Sequence, residues 1–527
     1  MKTKPINERL WAAGSAALLL GATQIGASVA FAEQDNLHML GRAHPGSAQT
    51  SFTRMFPELP PFAEASDAVR EQARRLGELG GVIDAKDNLT DPILSVTNPA
   101  VFSPNNPDNP NMTAGVTFFG QFLDHDITLD PRSNLFAASN PKTTTNFRTP
   151  AFDLDSLYGG GPEDSPELYE TSSGDILFRI EAIPGSEAVS RKGATRFDLP
   201  RDENGKAIVS EGRNDENTII SQFHLAMLRF HNAVSAWVRA QHADWSPEAV
   251  FEQTQRQVRW HYQWIIVHEF LPLTIGQERV TRFLNTKSKN KNPRIPIEFS
   301  VAAYRFGHSQ VRPSYRLNFG PDGGPAFFAF VFDDSIDPDH PDPNDFRGAK
   351  RAPRRFVDWH TFFALDATSV RQNKRIDSKI SSVLMHLLGS RAPVPGLPGD
   401  GVKSLASRNL MRHVNFGIPS GQAIAKRLGL PALSSTQLSE LAPYGMESST
   451  PLWYYVLKEA EVMENGLRLG PVGGHIVGRV FTDLLQADAS SYIAAKPHWT
   501  PQLPAATPGD FRITDLLLFA GVVPPLQ

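Results

Sequence analysis

Five short polar clusters in this chain have the residue types for chemistry at a buried centre, and each also has a plain structural use. Gln121-Phe122-Leu123-Asp124-His125-Asp126 sets two carboxylates and an amide around a histidine, directly after Phe118-Phe119. An imidazole so placed serves as a general base or bonds locally near a helix end. Thr149-Pro150-Ala151-Phe152-Asp153-Leu154-Asp155-Ser156 offers oxygen donors at alternate positions. Every second residue of an extended turn points the same way, so Thr149, the Ala151 carbonyl, Asp153 and Asp155 can converge on one hard cation. Ca2+ takes about six to eight oxygens, so a remote carboxylate such as Asp126 is also needed. Asx-turns give similar strings.

Arg213-Asn214-Asp215-Glu216-Asn217 precedes a long helical pattern that carries His224 and His231-Asn232. An acid there suits a helix macrodipole, and Arg213 is either a working cation or a surface residue. Tyr304-Arg305-Phe306-Gly307-His308 holds a histidine that is either a core residue or a metal ligand. Arg408-Asn409-Leu410-Met411-Arg412, then Phe416-Gly417-Ile418-Pro419, reads as a helix end and a turn.

Composition narrows the chemistry. The chain has no cysteine, which excludes disulfides, iron–sulfur clusters, thiolate metal sites and thiolate-ligated or c-type haem. Iron would have to be held by His, Tyr or Met, and any other metal by His or oxygen. A net charge of −4 and a pI near 6.4 give no electrostatic footprint for nucleic acid or an anionic membrane.

The elements that must position these residues are mainly helical. Residues 1–32 read as a signal peptide: Lys2, Lys4 and Arg9, an uncharged stretch, then Ala30-Phe31-Ala32 before Glu33. That predicts secretion, extracellular or periplasmic, and suggests a bacterial export product. Residues 33–95 read as an N-terminal arm with one helix over 65–79, placing Val69, Ala73, Leu76 and Leu79 on one side. Residues 96–525 read as one mainly helical catalytic domain. Helices are predicted over 218–243, 247–270 (stopped by Pro272), 376–388, 421–427, 450–463 and 474–486. The basic stretch 287–294 and the Asp- and Pro-rich stretch 333–345 read as surface loops, the latter without the Gly turn and final Glu of an EF-hand.

Taken together, in order and spacing, these strings resemble the animal-type haem peroxidases of the peroxidase–cyclooxygenase superfamily. The carriers are QFLDHD, RNDEN with a His eleven residues after its Arg, YRFGH, RNLMR…FGIP and PLWYYVLKEAE…RLGPVGGHIVG, between about residues 54 and 525. The resemblance implies that fold, with haem b among central helices. It implies His125 as distal histidine, Gln121 beside the distal water or halide position, and Arg213 as distal arginine. His308 would be the proximal iron ligand, Asn409 its hydrogen-bond partner, and Arg305 the partner of a haem propionate. Asp126, Thr149, Ala151 (carbonyl), Asp153 and Asp155 fall on the calcium ligands, with Asp155 where a Ser is common. Asp124 and Glu216 fall on the carboxylates that form haem esters in mammalian members. Asn217 stands where one mammalian member has a vinyl-linked Met, so that link cannot form. Val414-Asn415-Phe416 replaces the family's Arg-Asp-His.

The activity so implied is reduction of hydrogen peroxide with oxidation of a halide, a phenol or another small donor. His125 would carry a proton between the peroxide oxygens, a role worth roughly 10²–10⁴-fold, with Arg213 facing the developing charge. Two alternatives are a cyclooxygenase-like fatty-acid oxygenase and a non-enzymatic calcium-binding scaffold. The oxygenase needs a radical Tyr three residues before the proximal His; that position is Arg305, and Tyr304 is one residue off.

Overall fold

The computed structural model describes residues 50–288, 291–366, 370–387 and 401–523, so the signal-peptide reading of residues 1–32 lies outside it. Seven α-helices of ten residues or more among the described residues carry the architecture: α1 (Asp67–Leu76), α2 (Gly115–Ile127), α3 (Thr218–Gln241), α4 (Pro247–Ile265), α5 (Leu405–Asn415), α6 (Leu452–Glu464) and α7 (Pro471–Ala487). Their β-structure is a set of two-stranded antiparallel ribbons. No described helix is long and apolar enough to cross a membrane.

Helix starts follow side-chain capping. Ser66 accepts from the Val69 amide at the head of α1, and Asn217 accepts from the Ile219 and Ile220 amides at the head of α3. Ser246 caps α4, with Pro247 in its first turn. The position expected to differ from a vinyl-linked Met is thus used as an N-cap. Helix α1 stops at Leu76, short of the predicted 79, and leaves Leu79 50 % exposed. Gly77 ends it where a Cβ would lie 2.3 Å from the Ser407 backbone nitrogen, so α1 and α5 approach too closely for a side chain there.

Two expectations need correction. Pro272 does not end the helix that begins at Pro247. After α4 the backbone widens into a π-turn, Ile266–Phe270, and resumes as Leu271–Ile275 with Pro272 near its start; the His268 carbonyl, four residues before the proline, accepts instead from Arg512 Nη1 at 2.6 Å. Gly276, at φ 86°, is the true stop. Residues 376–388 do not form a helix: the described part holds only the 3-10 turn Ser382–Met385. Side chains there bond elsewhere, Ser381 Oγ to the Val311 carbonyl (2.6 Å) and Ser378 Oγ to Glu461 (2.9 Å), and residue 388 lies outside the described residues.

The core is aromatic where α2, α3 and α4 meet. Phe119 and Phe122 of α2 pack on Phe223 of α3 (5.8 and 5.4 Å between centroids) and on Tyr262 of α4 (6.2 Å each). Phe481 of α7 closes this layer against Phe152 (4.8 Å) and Tyr304 (5.3 Å).

Candidate active site

A cavity of about 1080 Å³ opens beside α2, just above the roughly 300–1,000 Å³ that small-molecule and cofactor sites occupy. Its walls bring together Gln121, Asp124, His125, Arg213, Glu216, Arg305 and His308 from segments far apart in the chain. Residues 121, 124 and 125 lie on one face of α2 because they are three and four apart, and Thr128 follows as its C-cap. The neighbouring Asp126, about 100° round the helix, faces away into the acidic loop.

His308 sits on the short turn Gly307–Gln310, after a second π-turn, Glu298–Ala302. Its Nδ1 lies 2.8 Å from Asn409 Nδ2 on α5, and Arg305 Nη1 donates to Asn409 Oδ1 at 3.0 Å. Burial, then the Arg305 cation, holds the imidazole down at about 3, so it is neutral. The amide nitrogen faces the ring; an iron ligand with its proton on Nδ1 needs the amide turned over, which gives up the Arg305 bond to Oδ1. Burial and the nearby Arg412 push Arg305 down to about 10, and Arg408 and Arg412 line the same cavity. Three guanidinium groups suit the carboxylates of a bound group.

Also lining the cavity, His125 is 5 % exposed. Its Nδ1 lies 2.8 Å from Asn214 Oδ1. Since an amide oxygen only accepts, Nδ1 carries the proton and Nε2 keeps its lone pair. Burial, then the Arg213 cation, holds this ring down at about 3. Arg213 donates through Nη2 to the carbonyls of Thr128 (2.6 Å) and His125 (3.2 Å) and through Nε and Nη2 to Glu211. Gln121 Nε2 donates to Glu216 Oε1. Burial raises Glu216 to about 7 and lifts Asp124, which accepts from Thr128 Oγ1 at 3.0 Å.

Asp126, Asp153 and Asp155 converge, with one oxygen of each within 4.8 Å of the others. Thr149 donates to Asp155 Oδ2 from its amide (3.0 Å) and hydroxyl (3.1 Å). Ser156 Oγ and Tyr262 OH hold Asp126 at 2.7 and 3.0 Å. Leu154, between the two loop aspartates, has a left-handed φ of 64°. Such a conformation in a non-glycine residue costs of order 1–3 kcal/mol and turns Asp153 and Asp155 to the same centre. Burial, then Asp155, raises Asp126 to about 7, and burial lifts Asp153 well above the carboxylate range. Three carboxylates this close stay ionised together only with a cation among them. Arg148 Nη1 reaches Asp155 at 3.4 Å. The donor set, oxygens only, fits a hard divalent ion.

Several contributors were missed from sequence. Glu211, fully buried, accepts from both Arg148 and Arg213, and those two cations hold it well below the usual range against the opposing effect of burial. Asp215 pairs bidentately with Arg201 (2.7 and 2.9 Å) and anchors the turn Gly212–Asp215. Arg148 and Arg201 lie far from these acids in sequence, so no local spacing marks the pairs. Asn415 accepts from Arg70 Nε at 2.9 Å and donates to the Asn134 and Leu135 carbonyls, so it ties the end of α5 to α1 and to the 134–135 segment.

The rim is made by residues of two loops, among them the exposed Asn204 and Asp334 and the partly exposed Lys206 and Lys350. Gly348 donates its amide to the Glu216 carbonyl at 2.9 Å. A Cβ at Gly348 would lie 1.5 Å from the Asp215 carbonyl oxygen.

With this geometry in place, comparison assigns the class. The chain belongs to the animal haem peroxidase family, whose model matches residues 131–500. That span includes Arg213, His308 and Asn409 and begins after the 121–126 cluster. Among curated proteins the chain is similar to peroxinectin A of Dictyostelium discoideum, 26 % identical over 286 residues, covering 52 % of this chain and 47 % of that protein. It is also similar to a peroxidase-like protein of Margaritifera margaritifera, 24 % identical over 474 residues, covering 77 % and 57 %. The chain thus spans about half the length of these relatives. Among solved structures, peroxidase A from Dictyostelium discoideum superposes with a TM-score of 0.54 at 19 % identity, covering 86 % of this chain and 90 % of that one. A fatty acid alpha-dioxygenase variant of Oryza sativa, solved with palmitic acid, gives 0.54 at 14 % identity, covering 84 % and 76 %. These likenesses show the mainly helical fold, which peroxidases and dioxygenases share.

Proposed function

We propose that the chain is a secreted haem- and calcium-dependent peroxidase that reduces hydrogen peroxide and oxidises a small donor. The observation that carries this reading is one cavity lined both by His308, backed by Asn409, and by His125 beside Arg213. His308 would hold the iron of haem b through Nε2, Arg305 would meet a propionate, and Asp124 and Glu216 are the carboxyls available for ester links. Haem, when bound, supplies the iron at which the peroxide O–O bond is cleaved and the oxidising equivalents are stored.

The protein's own part is proton handling. The neutral His125 takes a proton at Nε2 from the inner peroxide oxygen and returns it to the outer, leaving oxygen. Arg213 has no hydrogen-bond partner at Nη1 among the described residues, so that nitrogen is available to the charge that develops. Calcium held by Asp126, Asp153, Asp155, Thr149 and the Ala151 carbonyl would fix α2 one residue from His125.

Tyr304 supports a peroxidase over an oxygenase. It lines the cavity, one residue off the position such an oxygenase needs, and its phenol is committed to the Gly120 carbonyl at 3.0 Å while its ring stacks on Phe299 at 4.7 Å. The deciding experiment measures the Soret band, then steady-state peroxide turnover with bromide, iodide, thiocyanate and a phenol. A haem-loaded protein inert with all four would overturn the reading.

A further inference from the structure

Asn214 joins two histidines. It is fully buried, in the turn that leads into α3, and its backbone amide donates to the Glu211 carbonyl at 3.0 Å. Its Oδ1 faces His125 Nδ1 at 2.8 Å, and its Nδ2 faces His224 Nδ1 at 2.9 Å. His224, 1 % exposed on α3, packs edge-on to Phe122 at 6.1 Å.

A neutral imidazole has one N–H and one lone pair, and its hydrogen-bond partner decides which nitrogen has which. An amide offers an acceptor at one end and a donor at the other. With Oδ1 toward His125, that ring must carry its proton on Nδ1, which leaves the Nε2 lone pair for the cavity. With Nδ2 toward His224, that ring must accept at Nδ1 and carry its proton on Nε2. Turning the amide over would demand the opposite tautomer of both rings at once, so the amide ties the two tautomers together.

We propose that Asn214 is a positioning residue that keeps His125 in the tautomer able to take a proton at Nε2. The proposal rests on the reading of His125 as the base of this cavity. A base with its proton on the wrong nitrogen has lost its function although it has not moved.

The test uses full-length protein loaded with haem and calcium, and reads the association rate of cyanide, which arrives as HCN and must give its proton to a base as it binds. Asn214→Leu and the smaller Asn214→Ser remove the acceptor and should slow association at least about tenfold, with the Soret band unchanged. Asn214→Asp retains an acceptor for Nδ1–H and should stay within about threefold of wild type. A role in packing alone would not separate Asp from Ser in this way. His125→Ala is the control. Wild-type rates in Asn214→Ser beside a slow His125→Ala would overturn the assignment of Asn214 and leave the base in place. Wild-type rates in His125→Ala would overturn the base, and this proposal with it.

Discussion

Glu211 grips Arg213 with both carboxylate oxygens, Oε1 accepting from Nε at 3.0 Å and Oε2 from Nη2 at 2.9 Å. The same Oε2 accepts from Arg148 Nε at 2.8 Å, and Arg148 reaches Asp155 in the acidic loop. One buried anion therefore joins the calcium-type cluster to the cation of the cavity. Replacing it with a neutral residue of the same shape leaves two buried cations under-compensated. Glu211→Gln should lower stability by about 3–5 kcal/mol and slow the peroxide reaction as Arg213 loosens. Thermal unfolding and stopped-flow mixing measure the two effects, and an unchanged peroxide rate would uncouple Glu211 from the site.

His308→Ala should lose most of its haem or hold it weakly, because a chain with no cysteine has few replacement ligands. Haem content and the Soret band report this directly, and wild-type values would remove His308 from the iron.

His125→Ala and Arg213→Ala should keep haem yet slow the first reaction with peroxide by roughly 10²-fold or more. The two variants test different atoms, a proton acceptor and a fixed charge. A wild-type rate in either one refutes that residue alone.

Calcium removal should lower both thermal stability and the peroxide rate, and re-addition should restore them. The pH dependence has a definite sign. In the metal-free protein Asp126 is raised to about 7, by burial and then by Asp155, so the folded state holds protons that the unfolded state releases. Its stability is therefore present at acid pH and is lost as pH rises through 7. Calcium displaces those protons, so the stabilisation it brings should be larger at pH 8 than at pH 5.5. Equal gains at both values would contradict a site built on Asp126. Asp153→Ala should resemble the stripped protein and ignore added calcium.

Tyr304→Phe should leave peroxide turnover within about twofold, since the phenol's bond to the Gly120 carbonyl is a packing contact worth about 1 kcal/mol. Fatty-acid oxygenation by the parent, abolished in this variant, would reverse that assignment.

Much of the site could be read from sequence because its parts are local. The i, i+3, i+4 spacing of Gln121, Asp124 and His125 puts them on one helix face, and the alternation at Thr149, Asp153 and Asp155 builds one loop. What could not be read depends on partners far away in the chain. Glu211 needs Arg148, and Asn214 needs both His125 and His224, on separate elements. The segment after residue 376 has helical composition, but its serines bond to other elements in place of their own backbone. Pro272 looked like a stop because a π-turn, which no local pattern announces, resets the helix just before it.

The contact between Gly348 and the Asp215 carbonyl couples two regions that protein engineers treat as separable. Loops at a cavity rim are the usual place to graft new donor preference, while the polar floor is left alone. Here the rim loop is seated directly on the turn that bears Arg213 and Asn214, with no room for even one methyl group between them. A transplanted loop without glycine at that point would displace the floor along with the rim. Exchange of donor specificity in this scaffold therefore has to move loop and turn as one cassette.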